Sequence, residues 1–403
     1  MKRNLKKLLA MALSATMVLS VAACSSSKKE EPADKGQTEE SGTKSDIKIG
    51  LITTIGGLGD SSIGDEGYNG VKNASEVLGF EFDYSEPMTS QDLEALIIEY
   101  SESGEYDLIV TLGNESLEPV QSEQANYPDQ KYLVYDIEAE HENVITEWFS
   151  KDEIGFMAGC FMALMEPYGQ LIINGETKTW EPGNTYGLII GGEYPSTVSA
   201  ITGAAAGIKY IDPENEYLYA IVGDWKDQAK NKELALSMYD QGAHFIFHNA
   251  GGGCNGILEA AKERDGFFVG YDGNQNNLDP THVVASSIKC NSDVILRVLT
   301  QFVETGELAW GTAEENGYAN GGIDFVYQDG LEVPEEVSAA MEAIKEKLKA
   351  GEITPPSTWE DVETFTAGIR RLINMRSHRC HRGSTSMTFV LRRPDRWKTT
   401  LLK

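Results

Sequence analysis

From Lys48 onward, short β-branched runs alternate with stretches whose apolar residues recur at helical spacing. Few architectures accommodate that order. Ile47–Ile52, Leu108–Leu112, Tyr132–Tyr135, Val144–Phe149, Gly187–Ile190, Leu218–Val222, Phe245–His248, Phe267–Gly270 and Val283–Ile288 read as strands. Several are apolar throughout, as parallel strands covered on both faces are. Tyr68–Leu78, Leu93–Tyr100, Ala200–Tyr210, Lys226–Gln241 and Gly256–Lys262 read as helices between them. Strand, helix, strand at intervals of ~25–35 residues predicts an α/β protein with doubly wound, Rossmann-like sheets. The strands are too many for one ordinary sheet. Two α/β lobes with a cleft between them follow, in keeping with the 403-residue length.

In such sheets ligands bind outside the carboxyl ends of the strands. The loops expected there are Thr53–Asp60, Gly191–Ser196, Gly223–Asp227, Asn249–Asn255 and Asp272–Asn277. Two of them are glycine-rich, Gly56–Asp60 and Ala250–Asn255. The first does not meet the dinucleotide pattern G-x-G-x-x-G, and neither carries the lysine of a P-loop. Glycine at Gly251 and Gly252 lets backbone N–H groups approach a ligand closely. Trp225, in Gly223-Asp224-Trp225-Lys226-Asp227, is either packed under its loop or a stacking platform for a flat ligand. Tyr68 is either a core ring or a ring facing the first loop. Asp272 ends a strand, where a carboxylate can accept hydrogen bonds from two adjacent hydroxyls. Lys289 follows the next strand and either serves a ligand oxygen or pairs with a carboxylate.

Catalytic and metal chemistry leave little trace. No Gly-x-Ser-x-Gly elbow and no readable Ser/His/Asp or Cys/His arrangement is present. His244 and His248 share one face of a strand but lie ~13 Å apart, too far to hold one metal ion. Neither a cofactor nor a metal is expected. Cys160, Cys254, Cys290 and Cys380 show no C-x-x-C spacing and are expected to be free and buried.

The chain's charge is uneven. The net charge of −29 argues against a general nucleic-acid binder. Yet residues 370–403 hold ten basic residues and one acidic, leaving 24 basic against 62 acidic in residues 1–369. That tail has no periodic pattern and reads as a frameshift or gene-end artefact, the alternative being a genuine basic extension. At the other end, Lys2, Arg3, Lys6 and Lys7 precede the apolar run Leu8–Val21, the layout of a secretory signal. Val21-Ala22-Ala23-Cys24 resembles a bacterial lipobox, which implies cleavage after residue 23 and a lipid on Cys24, an ordinary signal peptide with a chance cysteine being the alternative. Residues 24–46 carry no aromatic or large aliphatic side chain and read as a tether between lipid and folded body.

Several segments together resemble the basic membrane protein family of substrate-binding lipoproteins, also called the purine nucleoside receptor A-like family. They are Lys151–Gly159 (KDEIGFMAG), Gly203–Asp212 (GAAAGIKYID), Val222–Tyr239 (VGDWKDQAKNKELALSMY), Asp240–Gly253 (DQGAHFIFHNAGGG), Val269–Asn276 (VGYDGNQN) and Ser286–Lys289 (SSIK). The resemblance covers roughly residues 47–330. It implies the type I periplasmic-binding-protein fold: two lobes joined by a hinge, closing on a ligand in the interlobe cleft. The expected partition is 47–150 with about 273–305 in one lobe, and 151–272 with about 306–366 in the other. It implies a purine nucleoside as ligand and an ABC importer as partner, with the membrane reached through the lipid on Cys24. Carried over by position, Trp225 and Tyr68 match stacking rings. Asp272 matches the ribose-binding carboxylate, Lys289 its basic partner, and Gly251 and Gly252 the close-approach glycines. Asp60 matches an acidic residue that reads the base, and Asn114 a further polar contact. The family's first loop reads Asp-Asp-x-Ser-Phe-Asn, whereas this chain has Gly59-Asp60-Ser61-Ser62-Ile63-Gly64. A sugar, a signal molecule or another flat polar solute is the alternative ligand, and an enzyme acting on nucleosides is the remote alternative.

Overall fold

The computed structural model describes residues 45–366, except 56 and 59–62. The readings made for Cys24, Asp60, the signal, most of the tether, Cys380 and the basic tail lie outside the described residues. The elements run β1 (Lys48–Ile52), α1 (Ile63–Leu78), β2 (Glu81–Ser85), α2 (Ser90–Ser103), β3 (Leu108–Leu112), α3 (Leu117–Gln124), β4 (Tyr132–Tyr135) and β5 (Val144–Phe149). Next come α4 (Lys151–Met165), β6 (Gln170–Ile173), β7 (Glu176–Thr179), β8 (Thr185–Ile190), α5 (Pro195–Ile211), β9 (Glu216–Ile221), α6 (Gln228–Asp240), β10 (Ala243–Asn249) and α7 (Cys254–Arg264). The chain continues through β11 (Phe267–Asp272), β12 (Val283–Lys289), α8 (Asn291–Thr305), β13 (Ala313–Asn316), β14 (Ile323–Tyr327) and α9 (Glu335–Lys349).

Two six-stranded sheets result, with orders β2-β1-β3-β4-β5-β13 and β9-β8-β10-β11-β12-β14. The orders correspond strand for strand. The first sheet is parallel throughout, while β14 runs antiparallel to β12 at the edge of the second. Central strands such as β3 are buried at every residue, which is why their sequences are apolar without alternation. β6 and β7 form a separate antiparallel hairpin.

The chain passes from one lobe to the other at three places among the described residues. β5 belongs to the first sheet, but α4 packs on α5 of the second lobe. β12 belongs to the second sheet, but α8 packs on α1 of the first. β13 returns to the first sheet and β14 to the second. The passages are tied together: Ser150 N donates to Asn316 O (3.0 Å), and Cys290 N donates to Gly322 O (2.8 Å). The expected partition therefore needs correcting at two strands. Residues 283–289 lie in the second sheet, not with the first lobe, because β12 pairs with β11. Residues 313–316 lie in the first sheet, because β13 pairs with β5. The β13–β5 pairing has no local signal, since it joins residues 313–316 to residues 146–149, whereas β12 is the strand that follows β11 directly in the chain.

Candidate functional site

The carboxyl ends of β4, β11 and β12 converge on one buried cluster of charge. Asp272, the last residue of β11, has φ 79°, a left-handed conformation that turns the chain sharply out of the strand. Lys289 is the last residue of the neighbouring β12. Its Nζ lies 2.5 Å from Asp272 Oδ1 and 3.1 Å from Asp136 Oδ2, and its side chain is 3% exposed. Asp136 follows β4 and pairs through Oδ1 with Lys151 Nζ at 3.2 Å. Burial alone would lower the Lys289 pKa, but Asp136 and Asp272 outweigh it and hold the ammonium well above its ordinary value. Burial likewise raises Asp136, and the ammonium groups of Lys151 and Lys289 overcome it, so the carboxyl titrates below its usual range. The result is two carboxylates and two ammonium groups, balanced in charge and largely withdrawn from water.

The second group of residues surrounds Trp225. Asp224 Oδ1 accepts from Lys226 N (2.6 Å) and Asp227 N (2.9 Å), and Asp227 caps α6 by accepting from Lys230 N (2.9 Å). This fixes the loop that carries the ring. Trp225 O accepts from Gly253 N (2.8 Å). The indole lies against the end of β8, where a Cβ on Gly191 would come within 2.5 Å of it. Gly251 has φ 53°, and a Cβ there would sit 3.2 Å from Trp225 O. Trp225 and Gly251 are thus brought together, with Gly252 in the same turn. Tyr194, which sequence reasoning missed, lies nearly parallel to Trp225 (16°), with centroids 6.3 Å apart and its own side chain well exposed. Beneath the turn, His248 Nδ1 accepts from Ala250 N (3.2 Å), so its Nε2–H faces Gln275 Oε1 (3.0 Å). Burial pushes its pKa down to about 4, and the imidazole is neutral.

Other expected residues stand apart. Tyr68 packs edge-on against Tyr84 (4.8 Å) and Phe82 (6.1 Å) of β2, as a half-buried ring of the first lobe's packing. Asn114 opens the short turn after β3. In the first loop, Leu58 N donates to Glu86 Oε2 (2.9 Å) and Ile55 N to Glu115 Oε1 (3.3 Å), so the chain's own carboxylates use N–H groups that a phosphate would need. Cys160 and Cys254 are buried free thiols, and Cys290 is a partly exposed one. Among the described residues no His, Cys, Asp and Glu group is arranged to hold a metal ion, and no helix is long and apolar enough to cross a membrane. A pocket of about 410 Å³ between α9 and β14, lined by Met157, Asp324, Tyr327 and Lys345 among others, shares no residue with these loops.

Asp136 and Lys151 are the functional candidates that sequence reasoning did not single out. A Tyr-Asp ending on two strands was the available signal, and it carries meaning only once β4 and β11 occupy matching places in their sheets.

Two like-ordered α/β lobes, linked by three passages of the chain, have the fold of the type I periplasmic-binding class. A solute-binding protein of an Aeropyrum pernix ABC transporter system has the same fold, with a TM-score of 0.66 at 22% identity over 81% of this chain and 98% of that one. Residues 47–357 match the Bmp family, described as ABC transporter substrate-binding protein PnrA-like, and the chain belongs to that family. Curated relatives include an uncharacterized lipoprotein of Pyrococcus furiosus, 24% identical over 83% of this chain and 86% of its own length. Basic membrane protein A of Borreliella afzelii is 25% identical over 81% of this chain and 97% of its own length.

Proposed function

We propose that this protein is a lipid-anchored receptor that captures a purine nucleoside outside the cytoplasm and delivers it to an ABC importer. The observation that carries the reading is the buried Asp272–Lys289 pair at 2.5 Å, placed at adjoining strand ends. A carboxylate and an ammonium side by side suit the two neighbouring hydroxyls of a ribose, accepting from one and donating to the other. Trp225, seated over Gly191 and Gly251, suits a flat base. Membership of a substrate-binding family supports delivery to an importer. The lipobox-like Cys24, together with the naming of a relative as a lipoprotein, supports the anchor. The chemistry needs binding and lobe closure alone. Stacking on one ring contributes ~1–3 kcal/mol, and a few charge-assisted hydrogen bonds of ~1.5–3 kcal/mol each bring affinity to about micromolar.

Titration calorimetry of the purified protein with adenosine, guanosine, inosine and uridine tests the reading. Purine nucleosides are expected to bind, and Trp225→Ala or Asp272→Ala to weaken binding about 5–150-fold. Heat from none of the four would sink the nucleoside assignment. A sugar or another flat polar solute would then be sought by mass spectrometry of whatever the denatured protein releases.

A further inference from the structure

The charge cluster is built twice by one plan. β4 and β11 hold the same place in their sheets, and so do β5 and β12. β4 is followed, and β11 ended, by a Tyr-Asp pair: Tyr135-Asp136 and Tyr271-Asp272. Both aspartates adopt left-handed backbone angles, φ 71° and φ 79°, a conformation uncommon for any residue but glycine. Each faces a lysine at or just past the end of the next strand: Lys151 after β5 at 3.2 Å, and Lys289 on β12 at 2.5 Å. An Asp–Lys pair equivalent to the one proposed to receive the ligand thus stands at the end of the first sheet.

The two pairs are not equal. Lys289 reaches across to hydrogen-bond Asp136 Oδ2 at 3.1 Å, while Lys151 takes Asp136 Oδ1. Each oxygen of Asp136 therefore faces an ammonium group of its own chain. Lys289 thus meets two carboxylates, Asp272 at 2.5 Å and Asp136 at 3.1 Å.

We propose that Asp136 is a positioning residue for ligand recognition: it shares the Lys289 ammonium with Asp272 and so fixes where that ammonium meets a ligand hydroxyl. Lys151 balances the charge of Asp136 and sets its orientation. This rests on the reading of the Asp272–Lys289 pair as the ribose end of a nucleoside site.

The test compares adenosine with 2′-deoxyadenosine by calorimetry, for the wild-type chain and Asp136→Asn. The wild type is expected to favour the ribonucleoside by about 10–100-fold, the value of a charge-assisted hydrogen bond to the 2′-hydroxyl. Asp136→Asn is expected to weaken adenosine by about that factor, to leave 2′-deoxyadenosine little changed, and so to bring the ratio towards one. A residue needed only for folding would weaken both alike. Because Asp136→Asn leaves Lys151 without its carboxylate, the charge-balanced Asp136→Asn/Lys151→Gln protein is measured beside it, and the same collapse of the ratio is expected. A folded variant that keeps the wild-type ratio, or loses both ligands equally, overturns the positioning role alone. A wild type that binds neither compound overturns the nucleoside reading and this role with it.

Discussion

Glu147 shows how much one buried acid can impose on a molecule of this kind. It lies on β5, 2% exposed, two residues before the chain leaves the first lobe. Burial pushes its pKa up to about 7, against donation from Asn316 Nδ2 at 2.6 Å and the nearby Arg297. Its ordinary value is 4.5, so between pH 4.5 and about 7 the folded state keeps a proton that the unfolded chain has released. Stability from this group is complete below pH 4.5 and is lost as the pH rises towards 7, by at most ~1.4 kcal/mol per unit. Asp152 and Glu153, both pushed up to about 6 by burial, act with the same sign. Glu147→Gln keeps an acceptor for Asn316 and removes the proton. In urea unfolding at pH 5 and pH 7.5, the variant is expected to lose about 1–2 kcal/mol less than the wild type over that interval; an equal loss would refute the assignment. Legibility at this scale follows the same divide. Asp272 and Lys289 stand at strand ends within local motifs, so sequence alone marks them. Asp136 and Glu147 look like any carboxylates of an acidic chain until Lys289, Arg297 and Asn316 arrive from 150 residues or more away along the sequence.

The closest packing between elements is that of α4 on α5. A Cβ on Gly155 would lie 1.8 Å from Ala200 O, and one on Gly159 2.1 Å from Ala204 O. Reciprocally, Gly203 would meet Asp152 O at 2.1 Å, and Gly207 would meet Phe156 O at 2.2 Å. Four glycines, in pairs four residues apart, let the two backbones touch without side chains between them. Adding a methyl group there forces the helices apart. Gly207→Ala is expected to destabilise by about 1–3 kcal/mol or more, even though alanine favours a helix by ~1 kcal/mol over glycine. Gly183→Ala, with its nearest neighbours at 3.6 Å, is the matched control and should shift the chemical-denaturation midpoint little. An unchanged midpoint for Gly207→Ala would show that the contact is looser than described. Both glycine pairs are visible in KDEIGFMAG and GAAAGIKYID, yet only the fold says that they face each other. Element type was legible where a strand is buried on both faces. It was not legible for β2, β13 or β7, whose residues are largely exposed and take strand form from their neighbours' pairing, nor for the four-residue β6.

At the scale of the whole molecule, the second lobe depends on residues that come after its sheet is complete. β9 is the edge strand of that sheet, and its side chains are only partly covered by the sheet and helices. Trp359 stacks on Tyr217 (5.8 Å, 22°) and packs against Tyr219 (4.9 Å) along this strand. Nearby, Phe365 meets Phe156 edge-on at 5.9 Å, and Thr202 donates to Pro356 O at 3.0 Å. This segment thus ties α4, α5 and β9 together, although the family match ends at residue 357. An unguarded aromatic edge strand also invites association with other chains, which the indole opposes by covering it. Trp359→Ala removes the largest ring from this seam while leaving the charge cluster and the Trp225 loop untouched. The expected result is a loss of about 1–3 kcal/mol in thermal unfolding, with ligand affinity held at the wild-type value. A fall in affinity without a fall in stability would instead place Trp359 in the recognition machinery. No change in either would mean that the segment rests on the lobe without supporting it.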